Sequence, residues 1–288
     1  MDSDRLTGTN EHATALDTPS GNAVVVALDH GLSLGAPDGF KNPVETIDKV
    51  LAGEPDGVLV GPHMARHYQD RFEEADVDIV VTADVVTWST SPGRDHDKDL
   101  WTPAFDAEFL AELDPVGVKT VLVFGRDDTE VFRRNVEYIA ELAEDLRGTG
   151  IPLVVEPVMW GRRVPEQLET DVDFVEDAMR MGWEFGADIL KAPYTGSVET
   201  FEPLVENSPV PVMILGGPAT GTTRAMLESV EGAMDSGARG LMIGRTIWKS
   251  EDPEKTVAAL NEIVHEGASV EEVWDEQEPQ AVASGRED

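Results

Sequence analysis

The 288-residue sequence contains no cysteine and only seven lysines. The lack of cysteine excludes disulfides and every thiol-based catalytic or metal-binding site. No apolar run approaches the ~20 residues that a membrane-spanning helix needs, and the N-terminal stretch lacks the basic and apolar regions of a signal peptide. These absences predict a cytoplasmic protein that has no membrane partner.

Positive charge is scarce throughout the chain. Lys and Arg number 22 against 57 Asp and Glu, which gives a formal net charge of -35 at pH 7. A field of that sign repels phosphate backbones, so we expect no nucleic-acid partner. So acidic a surface also repels itself unless salt screens it, and the Debye length falls to about 3 Å at 1 M salt. We therefore expect a halophilic protein, with an ordinary acidic protein as the alternative.

Eight short apolar runs alternate with segments of helical periodicity. The runs are continuous and rich in Val, Ile and Leu, which is typical of parallel strands buried on both faces. Eight such strands predict a single-domain (β/α)8 TIM barrel of the α/β class. A doubly wound open sheet is the alternative, but no glycine-rich dinucleotide turn follows the first run. The runs cover residues 23–28, 57–61, 78–83, 119–124, 152–157, 187–192, 211–215 and 240–244.

The regions outside the strands are assigned by the same patterns. Helical periodicity covers residues 129–147, 171–185 and 222–236, and a further helix is bounded by Pro253 and Gly267. We expect a polar N-terminal arm over residues 1–20, the barrel over residues 21–267, and an acidic C-terminal extension over residues 268–288. The extension is predicted to hold a short helix and then disorder.

Catalytic side chains of such barrels gather at the carboxyl ends of the strands. The first run leads into Asp29, which either caps a turn or acts as a general acid or base. The fifth run carries Glu156, whose burial is costly unless it pairs with Lys191 or Arg162 or relays protons. Trp160, which follows that run, either lines the pocket or only packs.

Lys191 is the most informative of these residues because it stands near the end of the sixth apolar run. A lysine amine attacks a carbonyl only when it is deprotonated, and burial lowers its pKa. The resulting iminium stabilises the carbanion that forms when a carbon–carbon bond beta to it breaks. The alternative is a structural lysine held in an ion pair.

Glycines follow the last two strands. Gly216 and Gly217 come after the seventh run, and Gly244 with Arg245 comes after the eighth. Backbone N–H groups at such turns bind phosphate, and an arginine adds a bidentate charge. Tight turns are the alternative use of glycine. The residues together predict a barrel that binds a phosphorylated carbonyl compound and uses Lys191 as nucleophile.

A metal-dependent aldolase is a rival interpretation. His63 and His67 lie four residues apart, which places them on one helix face, and His30 is a third candidate ligand. No carboxylate is placed to complete the site, so we expect no metal and no cofactor. Either way, the expected partner is a small phosphorylated sugar.

Four motifs in this order resemble the archaeal-type class I aldolases of the DhnA family. They are ALDHG at residues 27–31, KAPYTG at 191–196, GGP at 216–218 and GRTIW at 244–248. The resemblance covers residues 23 to about 265. That family includes fructose-1,6-bisphosphate aldolases and 2-amino-3,7-dideoxy-D-threo-hept-6-ulosonate synthases, which make an early precursor of aromatic amino acids.

The resemblance implies a role for each matching residue. Lys191 matches the Schiff-base lysine, and Asp29 matches the acid/base aspartate of the first strand. His30 and Tyr194, which stand in the matching motifs, are expected to contact substrate. The resemblance also implies homo-oligomers, commonly decamers. The residues that match the phosphate-binding turns are Gly216, Gly217, Gly244 and Arg245.

The sequence departs from the family after the fifth strand. The family usually carries a proton-donating tyrosine in a Tyr-Pro-Arg-Gly stretch, whereas residues 158–162 here read VMWGR. Tryptophan does not ionise usefully. Proton transfer then falls to Glu156, held neutral or shared with Lys191, or to Asp29 with water, or the reaction differs. A non-catalytic barrel that serves as a scaffold is a further alternative.

The segment GLSLG at residues 31–35 bears on the identity of the substrate. This segment and residues 89–93 are more similar to the heptulosonate-synthase branch than to the fructose-bisphosphate branch, which usually has Glu-His-Gly near the first motif. Fructose-bisphosphate aldolase is nevertheless the broadest activity in the family. We therefore expect it first, with the transaldolase-type synthase as the alternative.

The charge of the chain generates a prediction about salt. The free energy of unfolding, measured with urea, is expected to be higher in molar KCl than in dilute buffer, because salt screens the repulsion between acidic side chains. An equal free energy in the two media would contradict the halophilic interpretation.

Overall fold

The computed structural model of the chain describes residues 18–87, 100–159, 161, 163–165, 168–216 and 221–274. Eight parallel strands close into a barrel, each beside its neighbour in the chain except where a hairpin intervenes. This confirms the (β/α)8 prediction and all eight apolar runs. The barrel strands are β1 (Ala23–Ala27), β2 (Gly57–Val60), β3 (Asp78–Thr82), β6 (Gly117–Val123), β7 (Leu153–Val158), β8 (Ile189–Ala192), β9 (Val212–Leu215) and β10 (Gly240–Ile243), and the hairpin consists of β4 (Asp84–Thr87) and β5 (Leu100–Pro103).

The strands are apolar on both faces because each face is covered. Side chains that point into the barrel form an inner core, and those that point outward pack against the helices. This burial explains why the runs are continuous rather than alternating. The inner core consists of Ala23, Val25, Ala27, Leu59, Val80, Val154, Ile189, Met213 and Met242.

The helices surround the barrel, and several begin at a side-chain cap. Asp128, Asp171, Thr222 and Asp252 each accept a hydrogen bond from a backbone N–H of the first turn, which satisfies a donor that the helix itself leaves unpaired. The helices are α1 (Gly31–Leu34), α2 (Pro43–Leu51), α3 (Pro62–His67), α4 (Gln69–Glu74), α5 (Ala107–Ala111), α6 (Thr129–Asp145), α7 (Val172–Glu184), α8 (Val198–Glu206), α9 (Thr223–Asp235), α10 (Arg245–Trp248), α11 (Pro253–Asn261) and α12 (Val270–Val273).

The end of the barrel follows the sequence prediction closely. Helix α11 begins at Pro253, a π-helical turn (Glu262–Glu266) continues it, and Gly267 ends it in the left-handed region with φ 70°. Helix α12 confirms the short helix of the acidic extension. The rest of that extension and most of the N-terminal arm lie outside the described residues. Within the described part, no helix is long and apolar enough to cross a membrane.

An antiparallel hairpin after β3 is absent from the sequence-based assignment. It consists of β4 (Asp84–Thr87) and β5 (Leu100–Pro103). Its strands are short, and β5 buries only Trp101 among its four residues, so neither strand has the continuous apolar character of the barrel strands. The segment between them, which contains the residues 89–93 compared above, lies outside the described residues.

The helix layer yields a prediction about stability. Phe201 of α8 is fully buried, whereas Phe174 of α7 is 41% exposed. Phe201→Ala is expected to lower the free energy of unfolding by about 3–5 kcal/mol, because it removes buried area and leaves a cavity. Phe174→Ala serves as the control and should cost far less. Urea unfolding in molar KCl measures both, and equal losses would contradict the packing described.

Candidate active site

Strand geometry brings the charged residues of the sequence to one cavity at the carboxyl end of the barrel. Successive side chains of a strand alternate between its two faces. Val154 and Ile189 belong to the inner core, so Glu156 and Lys191, two residues further along, also face inward. Strands β1, β3, β4, β6, β7 and β8 and the segments after β1, β9 and β10 contribute to the wall. The wall includes Asp29, His30, Thr82, Asp84, Lys119, Glu156, Lys191, Gly216, Gly244 and Arg245.

Glu156 lies between two buried lysines. Its Oε1 is 3.0 Å from Nζ of Lys191, and its Oε2 is 2.8 Å from Nζ of Lys119. Asp29 Oδ2 is 3.7 Å from the same Lys119 ammonium. The side chains of Glu156 and both lysines are at most 8% exposed. The cluster therefore has two carboxylates and two amines in a site largely closed to water.

Lys119 is a residue that the sequence analysis missed. It is the third residue of β6 and pairs in register with Thr82 of β3 and Val154 of β7. It therefore lies well below the carboxyl end of its strand, where catalytic residues were sought. The signal available in the sequence was a second lysine within an apolar run of a chain that contains seven.

The charges around Glu156 determine its ionisation. Burial raises the pKa of Glu156, but the two neighbouring lysines and their hydrogen bonds lower it by more than burial raises it. The resulting pKa is about 2. Glu156 is therefore held as a carboxylate at neutral pH. This corrects the expectation that it is held neutral, and it agrees with the expectation that Lys191 shares it.

The two lysines differ in their ionisation because their surroundings differ. Burial lowers the pKa of Lys191, the positive charge of Lys119 lowers it as well, and the attraction of Glu156 offsets these effects only in part. Burial also acts on Lys119, but Glu156 and Asp29 outweigh it and raise the Lys119 pKa. Lys191 is thus the more easily deprotonated of the two amines.

His30 stands beside Asp29 at the mouth of the barrel. Its Nδ1 is 3.5 Å from Asp29 Oδ1, and its ring contacts the edge of Trp248. Burial lowers its pKa to about 4, against the opposing charge of Asp29. The imidazole is therefore neutral at neutral pH, so it offers a substrate hydrogen bonds rather than positive charge.

The glycine turns form the part of the wall that follows β9 and β10. A Cβ at Gly244 would lie 2.2 Å from the carbonyl oxygen of Ala27 and 2.7 Å from Cε1 of His30. No larger residue fits this close approach between β10 and β1. Gly216 and Arg245 also line the cavity, whereas Gly217 lies outside the described residues.

The structure places Tyr194 away from this wall, which corrects its expected contact with substrate. Its ring packs edge-on against Phe201 at 5.3 Å, and a Cβ at Gly232 would overlap its hydroxyl. Tyr194 therefore fills the space between α8 and α9. Trp160 and Arg162, the other candidates after β7, lie outside the described residues.

The histidines considered as metal ligands do not come together. His63 packs against the rings of Phe105 and Phe109, and His67 packs against Tyr68. Within the described parts of the chain, no three His, Asp or Glu side chains are grouped closely enough to hold a metal ion. His30 is instead part of the cavity wall.

Comparison with known proteins gives a family and several relatives. The DeoC/LacD family aldolase profile matches residues 23–250. An uncharacterised aldolase of Saccharolobus solfataricus is 31% identical over 253 residues, which cover 88% of this chain and 93% of that protein. A class 1 fructose-bisphosphate aldolase of Halobacterium salinarum is 30% identical over 262 residues, or 88% of this chain and 94% of that one.

Two further similarities bear on the chemistry. The 2-amino-3,7-dideoxy-D-threo-hept-6-ulosonate synthase of Halobacterium salinarum is 29% identical over 248 residues, or 86% of this chain and 88% of the synthase. A solved archaeal fructose-1,6-bisphosphate aldolase, whose catalytic lysine is covalently bound to the carbinolamine intermediate of its substrate, is 27% identical with a TM-score of 0.71. The match covers 85% of this chain and 95% of that structure.

The ion cluster generates a prediction about pH and stability. Glu156→Gln should lower the free energy of unfolding by about 3–5 kcal/mol near pH 7, because it leaves buried lysines without their carboxylate. The Glu156 pKa falls from 4.5 to about 2 on folding. The contribution of the ionised Glu156 to the free energy of unfolding is therefore complete above pH 4.5, and it is lost as the pH falls towards 2.

The difference between wild type and Glu156→Gln should accordingly shrink below about pH 4.5, as urea unfolding in molar KCl would measure. Glu184→Gln removes an exposed partner of Arg180 and is the matched control, with a much smaller effect. A Glu156→Gln loss that stayed constant from pH 7 to the acid limit of the fold would contradict the assigned charge.

Proposed function

The chain belongs to the DeoC/LacD family of aldolases, and we propose that it is a class I aldolase whose Lys191 forms a Schiff base with a phosphorylated ketose. The observation that carries the assignment is the geometry of a buried Lys191 that shares the Glu156 carboxylate with a second buried lysine, and burial lowers the pKa of Lys191 accordingly. The Lys191 amine loses its proton more easily than the Lys119 amine, which favours Lys191 as the nucleophile.

The proposed reaction begins when the Lys191 amine attacks the ketone carbon and forms a carbinolamine. A proton delivered to the carbinolamine hydroxyl lets it leave as water, which gives the iminium. Glu156 and Asp29 carry the proton transfers because both carboxylates lie beside the reacting amine or its neighbouring ammonium. Lys119 keeps Glu156 ionised, so this carboxylate carries no proton of its own, but its pKa of about 2 makes it a weak base.

Bond cleavage uses the same groups. A carboxylate removes the proton of the hydroxyl on the carbon that becomes the aldehyde, the carbon–carbon bond breaks, and its electron pair moves into the iminium to give an enamine. Protonation of the enamine carbon and hydrolysis then release the ketone and return Lys191 to its free form. Glu156 is the proposed base, with Asp29 as the second candidate, and the site needs no tyrosine for this role.

Fructose 1,6-bisphosphate is the first substrate we propose. Class 1 fructose-bisphosphate aldolase is the name of a relative that matches 88% of this chain. Binding of a phosphate is assigned to Gly216, Gly244 and Arg245, which line the cavity. Phosphate binding by Gly217 and a place for Trp160 in the wall of the pocket remain proposals, since both residues lie outside the described part of the chain.

A heptulosonate synthase is the second candidate, and one observation favours it. Leu32, Ser33 and Leu34, which belong to the segment similar to that branch, line the same cavity. The 29% identical synthase supports this candidate from the sequence. In that reaction the enamine left on Lys191 after cleavage would attack the carbonyl of a different acceptor instead of being protonated, and hydrolysis of the resulting iminium would release the product.

The cellular environment and the oligomeric state are proposed from the charge of the chain and from the family resemblance. The net charge of -35 supports a salt-rich cytosol. The cytoplasmic location and the homo-oligomer, a decamer by resemblance, stay predictions.

The proposed function predicts a covalent adduct. Incubation with dihydroxyacetone phosphate in molar KCl, followed by sodium borohydride, should add one reduced fragment to the intact mass, and peptide mapping should locate it on Lys191. Lys191→Met should abolish the adduct, because the nucleophile is gone.

Lys119→Met is the matched control, since it removes the other buried amine, and its adduct should still map to Lys191. An adduct on Lys119 would contradict the choice of nucleophile, and no wild-type adduct with any phosphorylated ketone would contradict the Schiff-base function. Trapping with fructose 1,6-bisphosphate and other phosphorylated carbonyl compounds then distinguishes the two candidate substrates.

A further inference from the structure

One side of the cavity carries two buried oxygen atoms that lack a hydrogen-bond partner among the described residues. They are Oγ1 of Thr82, at the end of β3, and Oδ1 of Asp84, at the start of β4. Thr82 is 2% exposed and Asp84 is 4% exposed, and both line the cavity. Buried polar atoms in native proteins are nearly always paired, so two unpaired oxygens in a substrate cavity point to a ligand.

The other oxygen of Asp84 is heavily bonded. Its Oδ2 accepts hydrogen bonds from Nε1 of Trp101 at 2.7 Å, from Oγ1 of Thr120 at 2.7 Å and from the backbone N–H of Val121 at 2.9 Å. Three donors from β5 and β6 fix the carboxyl group in one orientation. The free Oδ1 is therefore held in place rather than left to turn towards a protein partner.

The chemistry of these oxygens selects a hydroxyl group as ligand. An ionised Asp84 would need a donor at Oδ1, and a protonated one would need an acceptor. Burial raises the pKa of Asp84, although Lys119 and the bonds to Oδ2 oppose it. A hydroxyl group is both donor and acceptor, so it suits Asp84 in either form and also pairs with the Thr82 hydroxyl.

The position of Thr82 and Asp84 indicates which part of the substrate carries that hydroxyl. Strand β3 is separated from β8 by β6 and β7, and it lies away from β9 and β10 around the barrel. A ketose bound to Lys191, with its phosphate at the turns after β9 and β10, would have to extend past Glu156 and Lys119 towards β3. The atoms that reach β3 belong to the half that leaves as an aldehyde.

We propose that Thr82 and Asp84 form a specificity subsite that binds a hydroxyl group on the aldehyde half of the substrate. The inference rests on the proposed aldolase function. An aldehyde that carries a hydroxyl next to its carbonyl would fill the subsite, whereas a deoxy aldehyde would leave both buried oxygens unpaired. A site built to bond a hydroxyl discriminates strongly against an analogue that lacks it.

The test compares two aldehydes in condensation with dihydroxyacetone phosphate in molar KCl. One is glyceraldehyde 3-phosphate, and the other is 3-oxopropyl phosphate, which lacks only the 2-hydroxyl. We expect wild type to prefer the first in kcat/KM by at least about 10-fold, since losing one hydrogen bond to a buried group costs about that factor. Thr82→Val should reduce this preference about 10-fold.

A stability measurement separates this role from a structural one. Thr82→Val removes a hydroxyl that bonds to no described residue, so its melting temperature should be unchanged or higher. Thr256→Val is the matched control, because the buried Thr256 hydroxyl bonds to Ser250 at 3.0 Å and to the carbonyl of Asp252 at 2.8 Å. It should lower the melting temperature and leave the aldehyde preference unchanged.

The outcomes are distinct from those of the proposed function. Thr82→Val should still form the borohydride-trapped adduct with dihydroxyacetone phosphate, which has no aldehyde half. A wild-type protein that forms this adduct but uses both aldehydes equally, or neither, overturns the subsite alone. A Thr82→Val preference equal to that of wild type also overturns the subsite, and a wild-type protein without an adduct overturns both proposals.

Discussion

The placement of one carboxylate between two buried ammonium groups is the constraint on which the candidate site depends. Burying a charge without a partner costs several kcal/mol, so each member of the cluster holds the others in place. Lys119 has Glu156 at 2.8 Å and Asp29 at 3.7 Å, whereas Lys191 has Glu156 at 3.0 Å. This asymmetry gives the two lysines pKa shifts of opposite sign, which the proposed mechanism uses to choose its nucleophile.

The barrel supplies the conditions that make this asymmetry effective. Below the cluster, the interior is filled by apolar side chains such as Val154, Ile189 and Met213, which exclude water from the lower side. The cluster is reached from the carboxyl end, where the hairpin of β4 and β5 fixes Asp84 through Trp101. The same hairpin therefore forms part of the cavity wall. It also orients Oδ1 of Asp84, the oxygen of the proposed specificity subsite.

Local pattern in the sequence sufficed for the barrel because strands buried on both faces leave a continuous apolar signature, and Pro253 and Gly267 mark the bounds of the last long helix. It did not suffice for Lys119, because the inward face of a strand depends on how its neighbours pair. The ionised state of Glu156 could not be predicted either, because it depends on the charge of Lys119. Tyr194 stands in a motif that resembles the aldolase family, yet its ring packs between two helices. The hairpin strands β4 and β5 are only weakly apolar, so they left no periodic signal in the sequence.

NMR titration of the lysine side-chain amines in molar KCl tests the central claim most directly. Signals of Lys191 and Lys119 are assigned by their loss in Lys191→Met and Lys119→Met. The account predicts that Lys191 titrates below the value of about 10.4 that is ordinary for lysine, while Lys119 keeps its proton above that value. Equal pKa values for the two lysines, or the reverse order, would contradict it.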